Sequence, residues 1–179
     1  MMSLEERIAE QLPAWRERVN RLRNEFGDFK VCDVTVSQIY GGIRGVQIQV
    51  SDISYVDPIE GIRIRGYSIP ELLKILPKLP GAEFPLAGGV YYLLLTNQLP
   101  TFEDAMIVEE EWRKRSLIPT YVYNTIRRMP KETHPMTLFS MGIMALQRES
   151  VFAKEYEIGV VKDDHWRYFL QDSLNLTAK

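Results

Sequence analysis

The chain has 179 residues, 45% of them apolar, and a formal charge of −2 from 22 Lys plus Arg against 24 Asp plus Glu. That length buries enough surface for one real core, the apolar share excludes a disordered chain, and the charge balance supplies no basic field to recruit nucleic acid or an anionic membrane. The single cysteine, Cys32, excludes an intrachain disulfide framework and a Cys-based zinc site, and it fits a reducing compartment. The opening residues, 1–7, hold two acidic side chains ahead of any apolar run. They read as neither a secretory signal nor an Arg-rich transit peptide, so a cytoplasmic bacterial or archaeal protein is the expectation. The longest uncharged apolar run, 84–99, is interrupted by Gly and polar residues and is short for a membrane span.

The first predicted element is an amphipathic helix in which Ile8, Leu12, Trp15, Val19, Leu22 and Phe26 step by three or four residues. Ser3 and Glu6 have capping-box spacing, Gly27 is a stop, and Pro13 is expected to kink or divide the helix. From residue 31 to 66 the pattern changes. Gly41 and Gly42 mark a turn. Val46, Ile48 and Val50 then alternate with Gln47, Gln49 and Ser51, and the run 61–66 alternates between glycines. A small β-hairpin region near residues 46–66 follows from that period of two. Arg63 and Arg65 are expected on one solvated strand face. Beyond Gly66 the chain reads as helical. Ser68 and Glu71 cap a helix through Leu76, Pro85 opens another to Thr96, and Thr101 caps the next, with Glu103 and Asp104 in its first turn. A further helix follows Pro119, over about 121–128. His134 before Pro135 is read as a capping residue. The segment 136–146 is apolar nearly all round and is expected to be buried on several sides, against more than this chain alone. Met136, Met141 and Met144 there are read as core or dimer packing. A last helical stretch spans 164–179 and reads as a pattern cut short. The fold class is therefore all-α with a small β-hairpin region. Gly41, Gly42 and Gly45 lack the spacing of a dinucleotide loop.

Five stretches carry a family resemblance: Tyr40-Gly41-Gly42-Ile43-Arg44-Gly45; the uninterrupted run from Asp57 to Glu71; the run from Gly89 to Thr101; Glu111-Trp112-Arg113-Lys114-Arg115; and His134-Pro135-Met136. Together they resemble the citrate synthases close to the mitochondrial type, over nearly the whole chain and without a large insertion. The resemblance implies a mostly helical enzyme with a large and a small domain, working as a homodimer. Such an enzyme condenses acetyl-CoA with oxaloacetate and releases citrate and CoA, using an aspartate and two histidines and no metal or redox cofactor. It implies further that residues 1–179 are the N-terminal part of the large domain, with the remaining helices and the small domain outside this chain.

On that reading no catalytic residue lies in the chain, and the fragment alone is expected to be inactive. His134 is not at the family's catalytic histidine position, and His165 falls where relatives carry an aromatic residue. Arg44 matches an arginine that contacts CoA phosphate. Lys162 falls where relatives carry a second CoA-phosphate arginine, supplied to the partner subunit's site. Lysine there keeps the charge but loses the bidentate fork. Two rivals stand beside this reading: 2-methylcitrate synthase, which takes propionyl-CoA, and a non-catalytic helical interaction module descended from the family.

Overall fold

The computed structural model describes residues 2–46 and 49–179. It divides into two compact units, Met1–Ala105 and Met106–Lys179.

The first unit opens with helix α1, Leu4–Phe26. Its capping box forms as the spacing predicts: the Ser3 hydroxyl accepts from the Glu6 N–H at 3.2 Å, and the Glu6 carboxylate accepts from the Ser3 N–H at 2.7 Å. Those two bonds satisfy donors that a helix start otherwise leaves unmet. Pro13 does not divide the helix, which runs from Leu4 to Phe26 as one element. Proline forfeits one main-chain bond, and Pro13 is exposed, so the rest of the ladder carries the helix through it. Gly27 ends the helix without the left-handed conformation expected of a glycine stop. Its φ is −59°, and an added Cβ would lie 2.4 Å from the Arg23 carbonyl oxygen. The apolar stripe is only partly covered: Ile8, Leu12 and Val19 are half-buried, whereas Trp15, Leu22 and Phe26 are exposed.

A short helix, α2 (Val36–Tyr40), which the sequence pattern did not announce, carries a second capping box between Thr35 and Gln38. The predicted β-region is present but later than its first alternation implied. Strands β1 (Ser54–Asp57), β2 (Gly61–Ile64) and β3 (Tyr67–Ser68) form an antiparallel sheet in the order β1-β2-β3. Val46, Gln49 and Val50 lie outside any strand, and Gln47 and Ile48 lie outside the described residues. The β1–β2 turn is set by Asp57, whose carboxylate accepts from the Ile59 and Glu60 N–H groups, both at 2.8 Å. Those backbone bonds hold its carboxyl below the usual carboxylate range.

The β2–β3 turn corrects the reading of Arg63 and Arg65 as neighbours on one strand face. Ile64 pairs with Tyr67, so Arg65 and Gly66 form a two-residue turn with φ of +49° and +87°. Both positive values mark a type I′ turn, which suits the twist of the strands but favours Asn or Gly over Arg. What holds an arginine there is distant. Its Nε donates to the Leu94 carbonyl at 3.1 Å, and its Nη1 lies 3.4 Å from the Asp52 carboxylate, which also meets Arg18 at 3.5 Å. The Arg65 side chain keeps only 10% of its surface exposed. Arg63 stays outside and pairs with Glu60 at 2.9 Å.

Helix α3 (Ile69–Ile75) has the predicted Ser68–Glu71 capping box, which keeps the Glu71 carboxyl below its ordinary value. Helix α4 (Ala87–Thr96) ends on Asn97 at φ +56°. Leu94, whose carbonyl meets Arg65, lies in its last turn, where carbonyls lack intrahelical partners and a cation is favoured. Leu72, Leu76 and Leu93 form the core of this unit, with Ile64, Tyr67 and Val90 packed on it. Burying one such leucine contributes about 1.5–3 kcal/mol.

Helix α5 (Phe102–Arg115) starts on Thr101, whose hydroxyl accepts from the Asp104 N–H at 3.1 Å. The second unit continues with α6 (Thr120–Arg127), α7 (Pro135–Ala145), a 3-10 turn at Leu146–Glu149, α8 (Val151–Glu157), a 3-10 turn at Lys162–Asp164 and α9 (His165–Thr177). His134 caps α7 as predicted, its Nδ1 accepting from the Met136 N–H at 3.1 Å. The predicted burial of 136–146 is not met within the chain. Gly142 alone is buried in α7, while Met136 and Phe139 are 60% and Met144 75% exposed. Gly142 is where α6 approaches: a Cβ there would stand 3.4 Å from Ile126 Cδ1. Buried side chains of this unit include Val108, Val122, Leu170 and Leu174. No helix among the described residues is long and apolar enough to cross a membrane.

Candidate functional site

The two sequence-predicted site residues sit on loops, one in each unit. Arg44 follows α2 in a turn built almost wholly by the main chain. Gly41 N–H donates to the Ser37 carbonyl at 2.9 Å, Ile43 N–H to the Gln38 carbonyl at 2.7 Å, and Val46 N–H to the Ile43 carbonyl at 3.2 Å. The φ values are +78° at Gly42, +59° at Ile43 and +77° at Gly45. Glycine reaches that region freely. Isoleucine does not, and the left-handed conformation costs a non-glycine residue about 1–2 kcal/mol. Strain of this kind persists where the surroundings over-determine it, and such places cluster at ligand sites. The guanidinium of Arg44 is exposed, and among the described residues it makes no hydrogen bond or ion pair. No carboxylate occurs between residues 34 and 51. Arg44 is thus a planar, bidentate donor offered to solvent with no internal claim on it, which is the chemistry a phosphate needs.

Lys162 lies between α8 and α9 on a loop built differently. Gly159, at φ +83°, closes α8 with its N–H on the Tyr156 carbonyl at 3.1 Å, and the Val160 N–H donates to the Glu155 carbonyl at the same distance. The loop returns through the 3-10 turn, where the Asp164 N–H meets the Val161 carbonyl at 3.0 Å. Side chains pin both ends. Asp172 of α9 caps α8: its carboxylate accepts from Ser150 Oγ at 2.6 Å, the Val151 N–H at 2.7 Å and the Phe152 N–H at 3.1 Å. The His165 ring stands edge-on to Phe152 at 5.1 Å, and Phe152 stacks on Phe169 at 4.1 Å. Lys162 is exposed, and its ammonium has no partner among the described residues. Two carboxylates follow it, Asp163 and Asp164, the second 3.7 Å from Arg167. Its local field is therefore weaker than that of Arg44.

Among the described residues, neither Arg44 nor Lys162 lines either of two grooves in these units. One, of about 620 Å³ in the first unit, is lined by Trp15, Arg18, Asp52, Arg65 and the end of α4. Another, of about 380 Å³ in the second unit, is apolar and runs between α6 and α7 past Leu176. Both histidines have structural duties: His134 caps α7, and His165 packs in the aromatic cluster. Among the described residues no group of three or more His, Cys, Asp or Glu could hold a metal ion.

Comparison with known proteins decides the lineage. The family model described as citrate synthase, C-terminal domain, matches residues 42–179. The chain is 45% identical over 177 residues to a mitochondrial citrate synthase of Aspergillus niger, covering 99% of this chain and 37% of the relative. It is 42% identical to the mitochondrial citrate synthase of Kajikia audax and 41% identical to that of Xiphias gladius. Each match covers 99% of this chain and 38% of the relative.

The chain belongs to the citrate synthase family.

It spans a little over a third of the length of these relatives. The relatives reported all carry the citrate synthase name, so neither rival reading is favoured. The expected cytoplasmic location is overturned, because the relatives are named mitochondrial proteins. The expectation had read a compartment from the composition of residues 1–7, of which Ser3 to Arg7 form the capped start of α1 and report helix chemistry, not an address.

Proposed function

We propose that this citrate synthase chain is part of an enzyme that condenses acetyl-CoA with oxaloacetate and water to citrate and CoA, in the mitochondrial compartment for which its relatives are named. The observation that carries the reading is the 45% identity sustained over 177 residues. The chain's contribution is the N-terminal portion of the large domain, on the strength of the motifs from Gly41 to Met136. Arg44 and Lys162 bind CoA phosphate, and no residue of this chain makes or breaks bonds. Both cations are loop-borne and exposed, and among the described residues neither is in an ion pair, as suits a charge kept for a ligand. No metal or redox cofactor enters the reaction, and the catalytic aspartate and histidines come from the remainder of the enzyme.

Incubating the 179-residue chain with acetyl-CoA, oxaloacetate and a thiol reagent should give no enzyme-dependent CoA release, while the full-length enzyme carrying it should turn over. Robust turnover by a chain verified to end at Lys179 would overturn the division of labour. Propionyl-CoA in the same assay separates the two acyl preferences, and acetyl-CoA is the expected substrate.

The enzyme works as a homodimer. Supporting this, α7 leaves Met136, Phe139 and Met144 exposed on a helix with hardly a polar side chain, and apolar patches of that kind mark association surfaces. Sedimentation should show a dimer or larger species, and a clean monomer at tens of micromolar would count against it.

A further inference from the structure

We propose that His165 is the residue that positions Lys162 for its phosphate, a role that rests on the reading of Lys162 given above. The loop that presents Lys162 is short and exposed, and a lysine has four rotatable bonds of its own, so placement must come from the backbone beneath it. The His165 Nε2 lies 3.3 Å from the Val160 carbonyl oxygen. A carbonyl only accepts, so Nε2 carries the proton and donates. That bond joins the residue two places before Lys162 to the residue three places after it, and closes residues 160–165 into a ring that carries the exposed Lys162.

The ring of His165 is itself immobilised. Phe152 meets it at 5.1 Å and 73°, Tyr156 at 6.0 Å and 66°, and Phe169 at 6.3 Å and 84°. Edge-to-face pairs at such separations are favourable beyond the area they bury. Phe152 and Tyr156 belong to α8 and Phe169 to α9, so the imidazole is clamped by both helices that flank the loop. It turns that rigidity into a fixed position for Val160. A hydrocarbon ring could fill the same cluster and could not make the bond. The two functions of the side chain are therefore separable by substitution.

The test uses the full-length enzyme carrying this chain, with steady-state kinetics for acetyl-CoA and backbone hydrogen exchange over residues 160–165. His165→Phe keeps an aromatic ring and removes the donor. It should speed exchange in the loop and raise KM for acetyl-CoA about 2- to 10-fold, the worth of one hydrogen bond, with kcat within about twofold because the phosphate is remote from the reacting carbons. Lys162→Ala should raise the same KM, and the double variant should show no rise beyond it, because His165 acts only through Lys162. If His165→Phe does not fold, His165→Gln takes its place under the same criterion: any rise in KM must vanish in the Lys162→Ala background. An additive double variant, or an unchanged KM and unchanged exchange in His165→Phe while Lys162→Ala is impaired, overturns the proposal. An unchanged KM in Lys162→Ala alone overturns instead the assignment of Lys162 to phosphate. Loop exchange in His165→Phe then decides by itself whether His165 holds the segment.

Discussion

The two cation-bearing loops reach one end by opposite means. The Arg44 turn is held by main-chain conformation: three positive φ values in four residues, bonds back to α2, and little packed around it. The Lys162 loop has an ordinary backbone apart from Gly159 and is held by side chains of α8 and α9, chiefly Asp172 and His165. A turn of the first kind depends on which residues can adopt its torsions. A loop of the second kind depends on helices packing correctly on either side. The first should therefore tolerate damage elsewhere in the molecule and resist local substitution, and the second should do the reverse.

The largest expected effect is on binding. Arg44→Ala in the full-length enzyme should weaken acetyl-CoA binding about 10- to 100-fold, since a hydrogen bond to a charged group contributes on the order of 1.5–3 kcal/mol. The loss should appear in KM more than in kcal-scale barrier terms read from kcat. Arg44→Lys should fall between, keeping charge without the fork. Lys162→Ala should cost less, because Asp163 and Asp164 already offset its charge. Steady-state kinetics for both substrates checks this; a defect confined to oxaloacetate would displace Arg44 from the CoA phosphate.

Next comes the support of the second loop. Asp172→Ala strips three bonds from the start of α8 and leaves main-chain donors uncapped, at a cost of about 1–3 kcal/mol. Urea unfolding measures the loss. Hydrogen exchange should quicken over 158–164 and stay unchanged over 41–46, and quickening at both loops would dissolve the contrast. A smaller effect tests the first loop. Gly45→Ala meets no steric obstacle, its Cβ coming no nearer than 4.0 Å to Gln38 Nε2, but it must hold φ +77°. The expected cost is about 1 kcal/mol, with CoA affinity reduced and α8–α9 untouched.

The smallest effect is pH. Glu6, Asp57 and Glu71, all in the first unit, are held below their ordinary pKa by hydrogen bonds from Ser3, from Glu60 and Ile59, and from Ser68. A depressed carboxyl adds stability above its unfolded pKa and loses it as pH falls through the folded value. Melting temperature should hold steady down to about pH 4.5 and decline below it. Asp57→Asn should flatten part of that decline, and an unchanged slope would remove Asp57 from the account.

What the sequence made legible was mostly local. Ser3 with Glu6, Ser68 with Glu71, and Thr101 with Asp104 are three-residue spacings whose chemistry closes on itself, and each cap formed as read. His134 before proline was equally local. The failures needed knowledge from afar. Arg65 looked like an exposed strand residue because its acceptor, Leu94, is 29 positions away. The apolar run 136–146 gave the helix, and the exposure of Met136, Phe139 and Met144 is what a helix expected to pack on more than this chain should show here, since periodicity reports which face seeks cover and not what supplies it. Pro13 does not divide α1, because one exposed lost bond leaves the ladder on either side to carry the helix. At the site, Arg44 and Lys162 were nameable only through resemblance. The left-handed turn at Ile43 had no signal in an isoleucine, and the donor role of His165 depends on where Val160 ends up.

The clasp between Arg65 and the Leu94 carbonyl also imposes a timetable on a nascent chain. The β1–β2 hairpin can form as soon as Ile64 clears the ribosome, on a microsecond scale. The tight turn that follows places arginine where it is disfavoured, and its stabilising acceptor is 29 residues further on. At about 5–20 residues per second of synthesis, that leaves roughly 1.5–6 s in which the second turn lacks its Leu94 anchor and has only the contacts of Arg65 with Asp52 and Ile53. During that interval the buried guanidinium of the finished protein is a mobile surface cation, and the sheet has one firm edge and one provisional one. Completion of α4 is thus the event that commits the small sheet to its final form.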